Sequence, residues 1–286
     1  MVLQYLLFLS VCVGLSHQWC RSTAAITTCG NEILKKNTPL IIPDYKHLLE
    51  FEKGYLEEIP TGVFTLLPEL TTLVISNNNV RKLHEGSFDG LSQLQKLSLY
   101  DNKLNELKYG AFRGLGTVKS LDLGLNHIST IESNAFADFS NLEELRLGFN
   151  NLQTVPTEVN KMKSLRTLKL NNNKFTSIAA NSFSNLNNLI FLDVSDNQIR
   201  EIANNAFSGL NSLKELNLKS NYLSSLNVQN ILSGLRSLAV VRLSINDFSC
   251  STLNSIVNTF ETGGVSVAKG FSTNANKVKG MTCKKS

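Results

Sequence analysis

Apolar and polar positions follow one template that recurs about every two dozen residues along the chain. The stretch from Leu94 to Leu115 reads LQKLSLYDNKLNELKYGAFRGL, with apolar residues at positions 94, 97, 99, 104, 107, 112 and 115 and an asparagine at 102. The template starts again at Val118 and begins once before at Leu70. Its LxLxx segment predicts a short strand whose two apolar side chains point into a core. The period therefore predicts a repeat architecture.

One asparagine in each unit sets the register of the repeats. Eight asparagines recur at steps of 23 to 25 residues: Asn78, Asn102, Asn126, Asn150, Asn173, Asn197, Asn221 and Asn246. Each has an apolar residue two positions later, and eight such matches in phase do not arise by chance. We expect the side-chain amide to satisfy backbone groups where the chain turns out of the strand. A degenerate unit with Gly54 in the asparagine position precedes them, so residues 46–249 are predicted to hold nine repeats.

A second apolar position later in each unit predicts a continuous spine beneath the other side of the repeats. It is occupied by Phe64, Phe88, Phe112, Phe136, Val159, Phe183, Phe207 and Ile231. Neighbouring repeats stacked on these residues would share one long core. The fifth unit is one residue short and contains Val155-Pro156. This indicates either a variant turn with a local change of curvature or a neutral deletion in a loop.

The units resemble the extracellular leucine-rich repeat family, as in Toll-type ectodomains and small proteoglycans. The resemblance rests on the form LxxLxLxxNxLxxLxxxxFxxL and on unit ends such as GxFxGL and NAFxGL. It implies an α/β fold: a right-handed solenoid curved as a horseshoe, with a parallel sheet on the concave face and disulfide-stapled caps. The C-terminal segment resembles the single-helix caps of secreted arthropod leucine-rich immune proteins, although no coiled-coil heptads follow Cys283. That resemblance implies a role in innate immunity.

The N-terminal residues predict a secreted protein. An apolar run of 11 residues, 5–15, is followed by polar residues. The run is too short to span a bilayer and suits a signal peptide over residues 1–16. A buried N-terminal strand or helix is the alternative. Because no second apolar run reaches membrane length, we expect no membrane anchor and a secreted, extracellular location.

Four cysteines remain after removal of the signal: Cys20, Cys29, Cys250 and Cys283. An even number fits an oxidising compartment. Nine strands spaced by about 4.8 Å would separate the two ends by roughly 40 Å, whereas a disulfide needs Cα atoms within about 7 Å. We therefore predict one bridge in an N-terminal cap, residues 17–45, and one in a C-terminal cap, residues 250–286.

Both caps carry short signals of local structure. The residues Leu40 to Ile42, which precede Pro43, predict a short strand. In the C-terminal cap, apolar residues at 253, 256, 257 and 260 predict an amphipathic helix that ends at Gly263-Gly264.

No combination of residues predicts catalysis. The four histidines are scattered, the cysteines lack metal-ligand spacing, and no metalloprotease, nucleophile-elbow or phosphate-loop pattern occurs. We therefore expect no enzyme activity, no metal and no cofactor. The net charge of +5 is modest. The C-terminal lysines form a solvated surface or weakly attract anionic glycans or microbial surfaces, and we expect no nucleic-acid partner.

The register also predicts which side chains line the concave face, the natural binding surface of a curved solenoid. Six of them are expected to contact a ligand: Tyr100, Leu125, Glu144, Arg146, Phe149 and Phe191. Aromatic residues and arginine are preferred anchors of protein interfaces, and Gly124 and Gly148 would leave room for a shallow apolar pocket. The alternative is that Leu125 and Phe149 merely pack on the strand edge. Opposite charges in neighbouring repeats, such as Lys169 and Asp193, predict surface ion pairs.

These observations favour a recognition module that binds a protein, or a microbial or glycan surface, through its concave face. Innate immunity is the setting that the resemblance implies. Two other hypotheses remain. One is a structural or matrix scaffold that holds partners, including another repeat protein, through its convex face or edges. The other is a non-catalytic carrier subunit that stabilises a soluble enzyme.

Overall fold

The computed structural model describes residues 20–23, 26–30, 39–42, 47–51, 53–54 and 56–285. The predicted signal peptide, residues 1–16, lies outside the described residues. The chain divides into two compact units, Met1–Leu142 and Glu143–Ser286. Each unit is a stack of repeats. Among the described residues, no helix has the length and apolar character of a membrane span.

The first unit is built on a sheet with the strand order β1-β2-β3-β5-β7-β9. Its strands are β1 (Cys20–Ser22), β2 (Thr27–Cys29), β3 (Leu48–Phe51), β5 (Thr72–Val74), β7 (Lys96–Ser98) and β9 (Ser120–Asp122). The first two strands pair antiparallel, and from β2 onward all pairs are parallel. Two-residue strands form a second layer of parallel pairs: β4 (Glu58–Ile59) with β6 (Lys82–Leu83), and β8 (Glu106–Leu107) with β10 (Thr130–Ile131).

The second unit has the strand order β11-β12-β14-β16-β17-β18, and neighbouring strands pair parallel. The strands are β11 (Glu144–Arg146), β12 (Thr167–Lys169), β14 (Phe191–Asp193), β16 (Glu215–Asn217), β17 (Val240–Arg242) and β18 (Ser266–Val267). Outside the sheet lie the parallel pair β13 (Ser177–Ile178) and β15 (Glu201–Ile202) and the antiparallel hairpin β19 (Lys277–Val278) and β20 (Met281–Thr282). The helices are a 3-10 helix (Thr157–Lys161), α1 (Val228–Gly234) and α2 (Cys250–Thr262).

The predicted strand register is confirmed. Leu97, the central residue of β7, is paired with Leu73 and Leu121 in the neighbouring strands, and all three side chains are buried. Leu99 is buried as well. Each repeat therefore adds two inward side chains to the core, as the LxLxx pattern requires.

The apolar spine is present in both units. In the first unit, phenylalanine rings follow one another at centroid distances of 6.0 to 6.4 Å, from Phe64 through Phe88 and Phe112 to Phe136. In the second unit, Phe183 stacks on Phe207 at 6.1 Å, and Val159 and Ile231 are buried at the equivalent positions. The fifth unit has the 3-10 helix at its spine position, a variant turn in which buried Glu158 pairs with Lys161 at 2.9 Å.

The ladder asparagines join each repeat to the one before it. The Asn102 side-chain oxygen accepts the Val80 N–H at 3.0 Å, while its amide nitrogen donates to the Ile75 and Leu99 carbonyls at 2.8 and 3.1 Å. The same pattern recurs, for example at Asn197 in the second unit. Only an amide offers an acceptor and two donors on one short side chain. Because these groups are buried, leaving one unsatisfied would cost about 1–3 kcal/mol.

Disulfides close both ends in the predicted pairing. Cys20 is bonded to Cys29, and Cys250 to Cys283. The predicted C-terminal helix is confirmed as α2, which buries its four apolar residues, begins after the N-cap Ser249 and ends before Gly263. The strand predicted at residues 40–42 is wrong. That segment is irregular because Leu40 donates one hydrogen bond to the Val63 carbonyl, at 2.8 Å, rather than joining a strand ladder.

Candidate ligand-binding face

The open face is the side of the parallel strands that carries the residues flanking each buried central leucine, such as Val74 and Asp122 in the first unit and Arg146 and Lys169 in the second. Most of these flanking positions are partly exposed or exposed, whereas Ser98 at the end of β7 is buried. Where each of these strands ends, three residues separate it from the ladder asparagine. Three of the predicted contact residues lie at this exit, Tyr100 and Leu125 in the first unit and Phe149 in the second.

In the first unit the predicted contact residues are Tyr100 and Leu125, which follow β7 and β9. Their relative exposures are 39% and 38%. The Tyr100 carbonyl accepts the Asn77 N–H at 2.9 Å, so its backbone is fixed by the neighbouring repeat. Both side chains therefore present apolar surface to solvent from an ordered backbone.

In the second unit the predicted contact residues are Glu144, Arg146, Phe149 and Phe191. Phe149 is 48% exposed. The Arg146 Nε donates to the Glu144 Oε1 on the same strand at 2.8 Å. Phe191 lies two strands further on and is partly buried. The strand thus offers a charged pair beside an exposed aromatic ring.

Two details of the predicted site are wrong. Gly148 leaves no space for a pocket, because an added Cβ would lie 2.5 Å from the Asn171 side-chain oxygen. Lys169 does not pair with Asp193. Its ammonium lies 6.0 Å from the centroid of the Phe191 ring, and Asp193 accepts the Ser195 N–H at 2.9 Å. A cation over an aromatic face replaces the expected ion pair.

The residue before each ladder asparagine has a left-handed backbone, a feature not among those predicted from the sequence. The φ angles lie between 52° and 60° at Asn77, Asp101, Leu125, Phe149, Asn172, Asp196, Ser220 and Ile245. Asparagine and aspartate tolerate this conformation, whereas bulky and β-branched side chains are strained in it. A polar preference at this position was visible in five of the eight repeats and could have revealed the turn. Leu125, Phe149 and Ile245 stand out against it.

Charge is compensated locally over much of both units. In the first unit, Arg113 donates to Asp89 and Glu85 of neighbouring turns, and its hydrogen bond with Asp89 is the main reason that the pKa of the guanidinium is raised. In the second unit, Arg242 pairs with Glu215 across β17 and β16 at 2.6 Å. Within the described residues, no group of three or more His, Cys, Asp or Glu side chains could hold a metal ion.

Comparisons with known proteins agree with the repeat architecture. Residues 57–190 match a family model described as BspA type leucine rich repeat region, in six copies. Residues 192–248 match the model described as leucine rich repeat. A search of curated protein sequences found no significant match.

Among solved structures, one similar chain comes from the structure titled "Octameric complex of Latrophilin 3 (Lec, Olf), Unc5D (Ig, Ig2, TSP1) and FLRT2 (LRR)". The identity is 21%, the TM-score is 0.63, and the alignment covers 92% of this chain and 95% of that chain. At this identity the likeness concerns the fold. Since the two family models together cover most of the chain, and the asparagine ladder and the parallel strands have the geometry that these repeats require, the protein belongs to the leucine-rich repeat family.

Proposed function

We propose that this protein is an extracellular recognition module that binds a protein partner through the open face of its repeats. The observation that carries the proposal is the exposure of Leu125 and Phe149 at left-handed positions. Such a residue adds strain of about 1–3 kcal/mol and leaves apolar surface in water. Neither effect benefits folding, so a binding role is the better explanation.

The surroundings of these residues support a protein as the ligand. Tyr100 in the first unit, and Arg146 and Phe191 in the second, are of the residue types that dominate protein interfaces. In the similar solved structure, FLRT2, which is named there for its leucine-rich repeats, is assembled with Latrophilin 3 and Unc5D. The two disulfides fit an oxidising, extracellular compartment. The resemblance of the C-terminal cap to arthropod immune proteins is what favours innate immunity as the setting.

The test uses asparagine, the residue that other repeats place at the same backbone position. Leu125→Asn and Phe149→Asn each remove apolar surface without disturbing the left-handed turn, and neither creates an N-x-Ser/Thr acceptor. Ser220→Asn is the matched control, because it exchanges one polar side chain for another at an equivalent position. All three variants and the wild type are used as bait on extracellular fluid of the source organism, and the captured partner is then titrated in purified form.

We expect at least one of the two apolar variants to bind the partner about 30-fold more weakly, the loss that follows removal of an interface hot spot. The control should bind like the wild type. If both apolar variants retain wild-type affinity, the open face at these positions is not the binding surface. Capture of an enzyme in stoichiometric amount with unchanged affinity in both variants would instead support the carrier hypothesis.

A further inference from the structure

A second candidate binding site lies at the C-terminal end of the second unit. There, the segment that follows β18, together with the β19–β20 turn, faces the turn that follows β17 and encloses a groove of about 590 Å³. The groove lies four strands of the sheet away from Phe149, roughly 19 Å at the usual strand spacing. It is therefore separate from Phe149, the exposed apolar residue of the proposed function in this unit.

The outer wall of the groove is held rigidly by backbone contacts. The Gly270 N–H donates to the Lys279 carbonyl at 3.1 Å, and the Ser272 N–H donates to the Gly280 carbonyl at 2.8 Å. The two segments approach so closely that a Cβ on Gly270 would lie 2.4 Å from the Gly280 carbonyl oxygen. Glycine is required at this crossing. Phe271 is therefore presented by a fixed segment.

Two apolar side chains of the groove are exposed, and one of them is also strained. Phe271 is completely exposed, and Ile245, on the opposite wall, is 59% exposed. Ile245 is also β-branched and has a φ of 60°, a conformation that β-branched residues very rarely adopt. Its carbonyl accepts the Asn221 N–H at 3.0 Å, so the backbone cannot relax without breaking the ladder turn. Strain and exposure coincide at one site, which is characteristic of functional surfaces.

The charges of the groove are uniformly basic. Lys219, Arg242 and Lys269 line it, and no carboxylate does. The nearby acidic side chains are already paired with other cations: Glu215 with Arg242, Asp247 with Lys284, and Glu261 with Lys279. Lys219 and Lys269 have no ion-pair partner among the described residues, so their positive charge is available to a ligand.

We propose that this groove binds an acidic peptide segment of a partner protein. A large apolar side chain of the segment lies between Phe271 and Ile245, and its carboxylates contact Lys219 and Lys269. Charge complementarity selects an anion, since two cations are uncompensated and no lining group repels a carboxylate. The two exposed apolar side chains select a peptide over a sugar chain, because a polyanionic glycan has no apolar side chain to bury against them.

The experiment measures fluorescence anisotropy of a labelled decapeptide of alternating Glu and Asp with one central Phe, titrated with the purified full-length protein. Two further peptides carry Ser in place of the Phe, or Gln and Asn in place of the acids. An unlabelled heparin oligosaccharide serves as a competitor without apolar groups. The protein variants are Lys219→Glu with Lys269→Glu, and Phe271→Ser. The charge-matched control is Lys277→Glu with Lys285→Glu, two exposed lysines of the same cap that do not line the groove.

We expect the wild type to bind the Phe-containing acidic peptide, and each of the two comparison peptides to bind about tenfold more weakly or worse, a change of about 1.4 kcal/mol per tenfold. The Lys219→Glu, Lys269→Glu variant and the Phe271→Ser variant should show a similar loss, while the control variant keeps most of the affinity. Because the Phe271 side chain is completely exposed, it contributes nothing to the core. The Phe271→Ser variant should therefore unfold at the same temperature as the wild type.

Three outcomes would overturn the proposal. Equal loss in the control variant would mean that the peptide responds only to the net charge of the protein. Equal affinity for the Phe and Ser peptides, with full displacement by heparin oligosaccharide, would assign the groove to a polyanionic glycan. Absence of saturable binding of the acidic peptide would exclude the site.

Discussion

The residue that precedes each ladder asparagine is held in the left-handed conformation whatever its side chain. Its carbonyl accepts a hydrogen bond from the preceding repeat, as at Asn172, which accepts the Asn150 N–H at 3.1 Å, and at Ile245, which accepts the Asn221 N–H. The repeat architecture therefore imposes the backbone geometry, and the side chain must adapt. An asparagine adapts at little cost, whereas isoleucine does not.

This predicts that Ile245→Asn stabilises the protein. The substitution removes a β-branched side chain from a left-handed position, and relief of this strain should raise the free energy of unfolding by about 1–2 kcal/mol. Urea denaturation at neutral pH measures the effect as a shift of the midpoint at constant slope.

The reverse exchange, Asn172→Ile, provides the control at an equivalent position of another repeat, and it should lower stability by a similar amount. A variant Ile245→Asn that is less stable than the wild type would show that Ile245 contributes folding contacts. The presence of isoleucine at this position would then need no ligand to explain it.

Among the elements, the strands and the spine were predictable because their signal is repeated. Leu97 and its equivalents follow the period of the strand, and one apolar side chain per repeat marks the spine. The two-residue strands, such as β4 and β6, were not predictable, since a pair of residues carries no periodicity. The space beside Gly148, which the Asn171 side chain fills, was not predictable either. The left-handed turn at Leu125 could have been predicted, because five of the eight repeats have a polar residue at that position.

The groove at the C-terminal end could not be predicted from the sequence either. Lys219, Ile245 and Phe271 are distant in the chain, and only the hydrogen-bonded crossing at Gly270 brings the last of them near the strand exit. The repeat register places Ile245 on the open face, but it does not predict that the segment with Phe271 lies opposite. Candidate sites that lie within one repeat pattern can be predicted from sequence, whereas those that need an irregular segment cannot.

The phenylalanine spine should be a main source of the free energy of unfolding. Phe136 is buried against Phe112 and Phe139, at centroid distances of 6.0 and 6.1 Å. Phe136→Ala should lower the free energy of unfolding by about 3–5 kcal/mol, because it removes a large side chain from a site that neighbouring rings cannot refill. Leu66→Ala, at an exposed position of the same unit, should change it by less than about 0.5 kcal/mol. Thermal unfolding of the three proteins, monitored by circular dichroism, distinguishes these values, and equal stability of both variants would contradict the spine as a source of stability.

At the scale of the whole chain, stability is a sum over neighbouring repeats, so the ends are its weakest points. The terminal strands β1 and β18 each have a single strand neighbour, and a disulfide lies near each end of the chain. The C-terminal bridge joins Cys250, the first residue of α2, to Cys283, which follows β20. It closes a segment that contains the last strand of the sheet and the outer wall of the groove.

Loss of this bridge should therefore open the chain from its C-terminal end. In the double variant Cys250→Ser, Cys283→Ser, we expect a loss of about 2–4 kcal/mol of stability, confined at first to the cap and the last repeats, because each repeat contacts only its neighbours. Hydrogen exchange followed by mass spectrometry measures this as faster exchange in peptides that cover α2 and β17. Peptides that cover β5 and β7 in the first unit should exchange at the wild-type rate and serve as the internal control.

The hydrogen bonds between Cys250 and Lys284 and between Lys284 and Phe248 remain in the variant, so partial protection of the cap should persist. Uniformly faster exchange across both units would contradict the neighbour-by-neighbour account, since it would mean that the chain unfolds as one cooperative body.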